Sequence, residues 1–271
     1  MLTLEVVRQP WEPTSRRHQA PDLSGVDEDV KLIDGETGET IAFQCLLPED
    51  TVAEQRYLAR CLRFTAKWMD TGASTKGAQR VSGIKYPSLT FGFTEPKPLR
   101  RRYAAAPSRF MTNYPEMADV LESLTNYQWE LFTRVEPEIA EATSSLVKSR
   151  ILDDWLIAKK PWTSGIINNT AALPYHLDKA NVIGSWSSML TLQKNMSGGN
   201  LNLPEYGVTL GVPDGSVTMF DGQGTWHGVT PLVKRKPDAY RYTLVWYAKT
   251  GFAKCGTYEE EITRGQKAAT K

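Results

Sequence analysis

The chain contains only three histidines, His18, His176 and His227, and two of them stand where metal chemistry is conceivable. In Tyr175-His176-Leu177-Asp178 an imidazole and a carboxylate lie two positions apart. Successive side chains of extended backbone alternate sides, so both groups point the same way. His227 follows 51 residues later, after several short apolar runs, as expected if a barrel wall returns beside the first pair. Two imidazoles and one carboxylate on one face of an iron(II) ion leave positions open for a bidentate 2-oxo acid and for dioxygen. A lone His-x-Asp is ordinarily a hydrogen-bonded core or surface pair. The case for His176, Asp178 and His227 as iron ligands therefore depends on their company.

A 2-oxo dicarboxylate also needs a cation for its far end. Arg241 stands 14 residues after His227, in a strand-like run where alternation points Arg241, Thr243 and Val245 the same way. A planar guanidinium pairs bidentately with a carboxylate, and a threonine hydroxyl adds a hydrogen bond. Arg241 and Thr243 are the expected anchors for 2-oxoglutarate. Lys234 and Arg235, in a Pro-flanked polar loop, are the rivals.

The elements that must position these residues fall into two halves. Leu2 to Arg8 reads as a short strand, Gln9 to Asp29 as a Pro-rich loop, and Val30 to Ile33 with Thr40 to Leu46 as a hairpin about Asp34-Gly35-Glu36-Thr37-Gly38. Thr51-x-x-Glu54 is a capping box opening a helix that Gly72 and Gly77 end. A Gly, Pro and Arg-rich stretch from Arg80 to Arg109 precedes two further helices, about Pro115 to Phe132 and about Pro137 to Ile157. After Trp162 the pattern is β throughout: Gly165 to Thr170, Ser185 to Leu192, Leu201 to Leu203, Val208 to Val212, Ser216 to Phe220 and Arg241 to Ala248. Short strands at this spacing predict a double-sheet barrel or jelly roll. The expected fold class is α+β: a double-stranded β-helix (jelly-roll, cupin-like) core with helices on one face and an N-terminal extension. The expected domains are an extension over 1–79, a catalytic domain over 80–250 and a tail over 251–271.

Bulk properties exclude some classes. At 271 residues and 41% hydrophobic content the chain buries one substantial core. A net charge of +1 gives no global field for polyanions, so any such site is a local patch. Cys45, Cys61 and Cys255 are odd in number and lack any CxxC spacing, which speaks against disulfides and structural zinc and for a reducing setting. Met1 to Pro10 has no leader-like apolar core, and no run reaches membrane-spanning length. A cytoplasmic, unexported monomer without membrane contact is expected.

The order of motifs adds a resemblance. His176-x-Asp178, Gly198-Gly199 through Pro204-Glu205, Asp214-Gly215 through Phe220-Asp221, His227-Gly228 through Pro231, and Arg241 resemble the TET/JBP branch of iron(II)/2-oxoglutarate dioxygenases. The likeness runs from about Arg80 to Lys249 and includes Ser82 to Lys85, Phe91 to Phe93 and Arg100 to Arg102. It is greatest to compact, phage-like members, and a bacterial or phage-infected cell is the implied setting. The resemblance implies oxidation of the 5-methyl group of 5-methylcytosine in duplex DNA, on a base flipped from the stack. It places Asn181, five positions after the first ligand histidine, against that base. An amide both donates and accepts, as a cytosine edge requires. Lys97, Arg100, Arg101 and Arg102, near Lys85 and Arg109, are the expected grips on DNA phosphates. Three rivals stay open: thymine hydroxylation in DNA, hydroxylation of a protein or small molecule, and a cupin-like binding module without catalysis.

Overall fold

The computed structural model describes residues 1–70, 88–100 and 102–269. Its largest element is a nine-stranded sheet built from β1 (Leu2–Val6), β2 (Val30–Asp34), β3 (Thr40–Leu46), β4 (Ser88–Thr94), β5 (Ala106–Pro107), β6 (Ser164–Asn169), β7 (Ser187–Lys194), β11 (Ser216–Phe220) and β14 (Tyr240–Tyr247). Their order is β1-β2-β3-β11-β7-β14-β6-β4-β5. Two small sheets complete the β structure: β10 (Val208–Leu210), β9 (Leu201–Leu203) and β12 (Gly228–Val229), and the pair β13 (Leu232–Lys234) and β8 (Met196–Gly198). Leu201, Leu203 and Leu210 of the first pack with Val30, Leu32, Met189 and Phe220 of the large sheet, closing the jelly roll. The expected α+β double-stranded β-helix is the observed architecture.

Strand alternation divides the large sheet into two working faces. Leu190 of β7, Val217 and Met219 of β11, and Leu244 and Trp246 of β14 join a core with Phe110 of helix α2 (Arg109–Asn113) and Leu121, Leu124, Leu131 and Phe132 of helix α3 (Ala118–Val135). Polar ties fix that helix: Trp246 Nε1 donates to Thr125 Oγ1 at 3.0 Å, and Ser188 Oγ donates to Gln128 Oε1 at 2.7 Å. Residues of opposite parity, including Ser187, Met189, Phe220, Arg241, Thr243 and Val245, face a cavity. Helices therefore cover one face and leave the other for the site.

Local chemistry explains the element ends. Asp34 Oδ1 accepts from the backbone N–H groups of Glu36 and Thr37 at 2.8 and 3.0 Å, and Gly38 takes φ +74° to close the β2–β3 hairpin. That hairpin is continuous with the main sheet, since β3 pairs with β11 from Leu46↔Ser216 to Ala42↔Phe220. Helix α1 (Glu49–Asp70) starts two residues before the expected cap at Thr51, whose N–H is taken by Asp50 Oδ1 at 2.7 Å. Gly72 and Gly77, expected to end it, lie outside the described residues.

Two readings of the middle of the chain are corrected. The Gly- and Pro-punctuated segment after Arg80 contains strand β4, which pairs with β6. Gly92 takes φ +68° there, and a side chain at this position would strike Ile157. Helix α4 (Pro137–Lys148) ends well before Ile157. The chain then breaks into short 3-10 turns that bury Trp155, whose Nε1 donates to Gly256 O at 2.8 Å. The acidic run at 259–261 opens helix α5 (Tyr258–Ala269), where carboxylates suit the positive end of the dipole. Glu261 is buried and accepts from Ala105 N–H at 2.7 Å. No helix among the described residues is long and apolar enough to cross a membrane.

A tight sheet contact sets Gly165 of β6 opposite Phe91 of β4. A Cβ at Gly165 would lie 2.0 Å from Phe91 Cζ and 2.6 Å from Val245 O. Overpacking of this kind costs about 1–3 kcal/mol. Gly165→Ala is expected to lower the urea midpoint accordingly, and an unchanged midpoint would contradict the packing described.

Candidate active site

The two histidines separated in sequence meet through backbone. His176 N–H donates to His227 O at 2.9 Å, and His227 N–H donates to His176 O at 3.1 Å, forming an isolated antiparallel bridge. Asp178 is fixed by its own N–H to Gly222 O at 2.8 Å. A Cβ at Gly222 would stand 2.8 Å from Asp178 Oδ2, so glycine is what lets the carboxylate approach. Asp221 holds this turn by accepting from the N–H groups of Gln223 and Gly224 at 2.9 and 3.0 Å. Burial raises its carboxyl above the usual range despite those bonds, with the Asp178 charge adding a smaller push.

The resulting cluster has the geometry of a metal centre. One ligand atom from each of His176, Asp178 and His227 lies within 4.8 Å of the others. His176 Nε2 is 3.6 Å from Asp178 Oδ1, and His227 Nε2 is 3.9 Å from Asp178 Oδ2. Each Nδ1 faces a backbone carbonyl, that of Pro174 at 2.8 Å and that of Thr225 at 2.9 Å. With the Nδ1 proton donated there, each Nε2 lone pair is free to ligate. The Phe220 ring packs edge-on to His227 with centroids 5.0 Å apart, restraining its orientation. His18, the third histidine, packs edge-on to Tyr175 and is not part of the cluster.

The cluster lines a cavity of about 1070 Å³. Arg241 lines the same cavity, buried to 2% exposure, with Nη2 donating to Gly199 O at 2.7 Å. Its Nε has no partner among the described residues. Burial pulls the guanidinium down to about 10, which still leaves it charged at neutral pH. A buried cation with an unused donor fits an incoming carboxylate. Gly199, at φ +76°, must be glycine, since a Cβ would lie 2.8 Å from Arg241 Nε. Thr243 also lines the cavity and accepts from Asn168 Nδ2 at 3.4 Å. The rivals Lys234 and Arg235 are exposed and do not line it.

Asn181 is buried in the cavity wall, and its Nδ2 donates to Ser187 Oγ at 3.3 Å. The expected phosphate grips are only partly placed. Lys97 and Arg102 pair across a turn, and Lys97 Nζ lies 3.2 Å from Glu95 Oε1. Arg101 and Lys85, with the rest of the run Ser82 to Lys85, lie outside the described residues, as does the Arg100 side chain.

Two contributors escaped the sequence reading. The loop after β1 lies along the cavity: Pro13, Ser15 and Arg16 line it. Trp11 packs against His18, Tyr175 and Trp226, and Tyr175 N–H donates to His18 O at 2.9 Å. Arg8 clamps this loop by pairing with buried Glu205 at 2.6 Å, whose other oxygen accepts Trp226 N–H at 2.8 Å. Without periodicity, Gln9 to Asp29 gave no signal. The second contributor is Lys249, in the cavity wall opposite Asn181. The alternation that picks out Arg241, Thr243 and Val245 extends to Tyr247 and Lys249 and would have found it.

Comparisons with known proteins reach the fold by structure alone. No family model matches the chain, and no curated protein matches it in sequence. Among solved structures, OsALKBH1 matches at 13% identity over 76% of this chain and 97% of that one, with a TM-score of 0.39. A prolyl-4-hydroxylase from Pseudomonas putida matches at 13% identity over 77% and 92%, with a TM-score of 0.37. NgTET1 in complex with 5mC DNA matches at 17% identity over 92% of this chain and 88% of that one, with a TM-score of 0.59. The chain is thus similar to NgTET1 in fold across nearly its whole length.

Proposed function

We propose that the protein is an iron(II)- and 2-oxoglutarate-dependent dioxygenase that oxidises the 5-methyl group of 5-methylcytosine in DNA, giving the hydroxymethyl form as its first product. The observation that carries the cofactor assignment is the pairing of a two-imidazole, one-carboxylate cluster with a buried, underused guanidinium in one cavity. His176, Asp178 and His227 would hold the iron, and Arg241 with Thr243 would hold the distal carboxylate of 2-oxoglutarate. Bound iron with its two co-substrates supplies the oxidation of an unactivated C–H bond.

The protein's share is placement. Backbone carbonyls of Pro174 and Thr225 keep both imidazoles in the ligating tautomer. Leu201, Phe220 and Val229 give the cavity an apolar wall that limits water near the reacting carbon. A methyl group of duplex DNA lies in the major groove, whereas this cluster lines a cavity, so the base would have to leave the stack. Asn181 would face the flipped base, and Lys97, Arg100, Arg101 and Arg102 would grip the backbone. Fold likeness to a protein seen with 5mC DNA supports methylated duplex as the partner.

The direct test is to incubate the protein with iron(II), ascorbate, 2-oxoglutarate and 5-methylcytosine duplex, then digest and analyse nucleosides by mass spectrometry. Oxidised cytosines are expected. New 5-hydroxymethyluracil with intact 5-methylcytosine would move the substrate to thymine, and 2-oxoglutarate turnover without any oxidised base would remove DNA from the account. Asp178→Ala and His227→Ala are expected to abolish turnover and iron retention together; turnover surviving in either contradicts the ligand set. Arg241→Ala removes a charge-assisted hydrogen bond worth about 1.5–3 kcal/mol, so the apparent KM for 2-oxoglutarate should rise roughly 10- to 100-fold. An unchanged KM would shift the anchor elsewhere.

A further inference from the structure

The loop after β1 reaches the metal cluster through two residues, each of them immediately before a ligand histidine. Trp11 packs edge-on to Tyr175, which precedes His176, with ring centroids 4.5 Å apart and planes at 64°. The same indole meets Trp226, which precedes His227, at 6.0 Å and 66°. Hydrogen bonds run beside both contacts. Tyr175 N–H donates to His18 O at 2.9 Å, and Trp226 N–H donates to Glu205 Oε2 at 2.8 Å. Glu205 Oε1 in turn accepts from Arg8 Nε and Nη2 at 3.0 and 2.6 Å, and Arg8 Nη2 also donates to Gly224 O at 3.0 Å.

His176 and His227 themselves are joined only by an isolated bridge of two backbone hydrogen bonds. Both imidazoles must present Nε2 to one ion, and a small rotation of either backbone segment swings its ring away. The Trp11 indole is a rigid plate in contact with both preceding side chains, so neither segment turns without displacing it. Tyr175 has little freedom otherwise. It lies against Gly228, where a Cβ would stand 2.7 Å from its ring, and its hydroxyl donates to Asn202 Oδ1 at 2.6 Å. Groups that orient metal ligands from behind are commonly hydrogen-bond acceptors; here an aromatic contact acts on both ligand segments at once.

We propose that Trp11 is a positioning residue for the metal centre: bearing on Tyr175 and Trp226 together, and held there by the Arg8–Glu205 pair, it sets the separation of His176 and His227 and with it the affinity of the site for a divalent cation. This rests on the reading of His176, Asp178 and His227 as the metal ligands. It gives the loop after β1, remote from the ligands in sequence, a share in a property that the ligands alone do not determine.

The test titrates chelator-treated protein with cobalt(II), an air-stable stand-in for iron(II), and reads the dissociation constant together with the visible ligand-field bands that report coordination geometry. Trp11→Ala is expected to raise the constant about 10- to 100-fold, the range typical of groups that orient metal ligands, and to shift the bands. Trp11→Phe, which keeps an aromatic plate in place, should recover most of the affinity. Phe132→Leu, a change in the core under helix α3, is the control: it should lower the urea midpoint yet leave constant and bands at wild-type values. Wild-type affinity and bands in a folded Trp11→Ala overturn the proposal, as does an equal loss of affinity in Phe132→Leu. If Trp11→Ala does not fold, Arg8→Met is read in its place; a raised constant there supports the proposal and an unchanged one overturns it. A wild type that binds no cobalt(II) overturns the ligand assignment and this proposal with it, whereas equally tight binding by wild type and Trp11→Ala overturns this proposal alone.

Discussion

Two backbone hydrogen bonds between His176 and His227 are the constraint on which the site depends. They join the loop after β6 to the loop before β12 and set two imidazoles 4.2 Å apart, centroid to centroid. Everything else serves that junction. The β7 to β11 strands supply the wall between the two loops, and the Asp221-Gly222 turn seats the carboxylate. The bridge is short, so its rigidity comes from what surrounds it. Phe220 packs against His227, and Tyr175, next to His176, is held by Asn202 through its hydroxyl at 2.6 Å.

The same economy appears in the large sheet. Its strands carry two codes at once, one parity read by helix α3 and the other by the cavity. Ser188 and Trp246 lock to the helix, while Ser187 and Val245, one residue away, face the site. A one-residue slip in β14 would put Trp246 into the cavity and Arg241 into the apolar core. Register is thereby enforced by the cost of burying a guanidinium among leucines, and catalytic placement inherits that enforcement.

Much of this was legible because it follows short-range rules. The spacing of His176 and Asp178, and of Arg241 and Thr243, is a period-two statement, and the hairpin turn at Asp34 to Gly38 is a matter of side-chain and glycine chemistry. Elements decided by tertiary contacts were not legible. Strand β4 hides behind Gly92, tolerated because Ile157 fills the space a side chain would take. Helix α4 stops at Lys148, and the chain beyond it buries Trp155, whose Nε1 donates to Gly256 O. Glu261 resembles a tail residue until the fold brings Ala105 to it. The loop carrying Trp11 and His18 has no periodicity at all. It reaches the cavity through stacking and through the Arg8–Glu205 pair, residues 197 apart in sequence.

The central claim is that these three side chains hold iron in a cavity whose buried arginine awaits a carboxylate. It is tested most directly under anaerobic conditions, by adding iron(II) and then 2-oxoglutarate and recording the visible charge-transfer absorption of a chelated 2-oxo acid. The account predicts a saturable band at one iron per chain, lost in His176→Ala and displaced to higher 2-oxoglutarate concentration in Arg241→Lys. A protein that binds no iron, or a band that persists without His176, would contradict it.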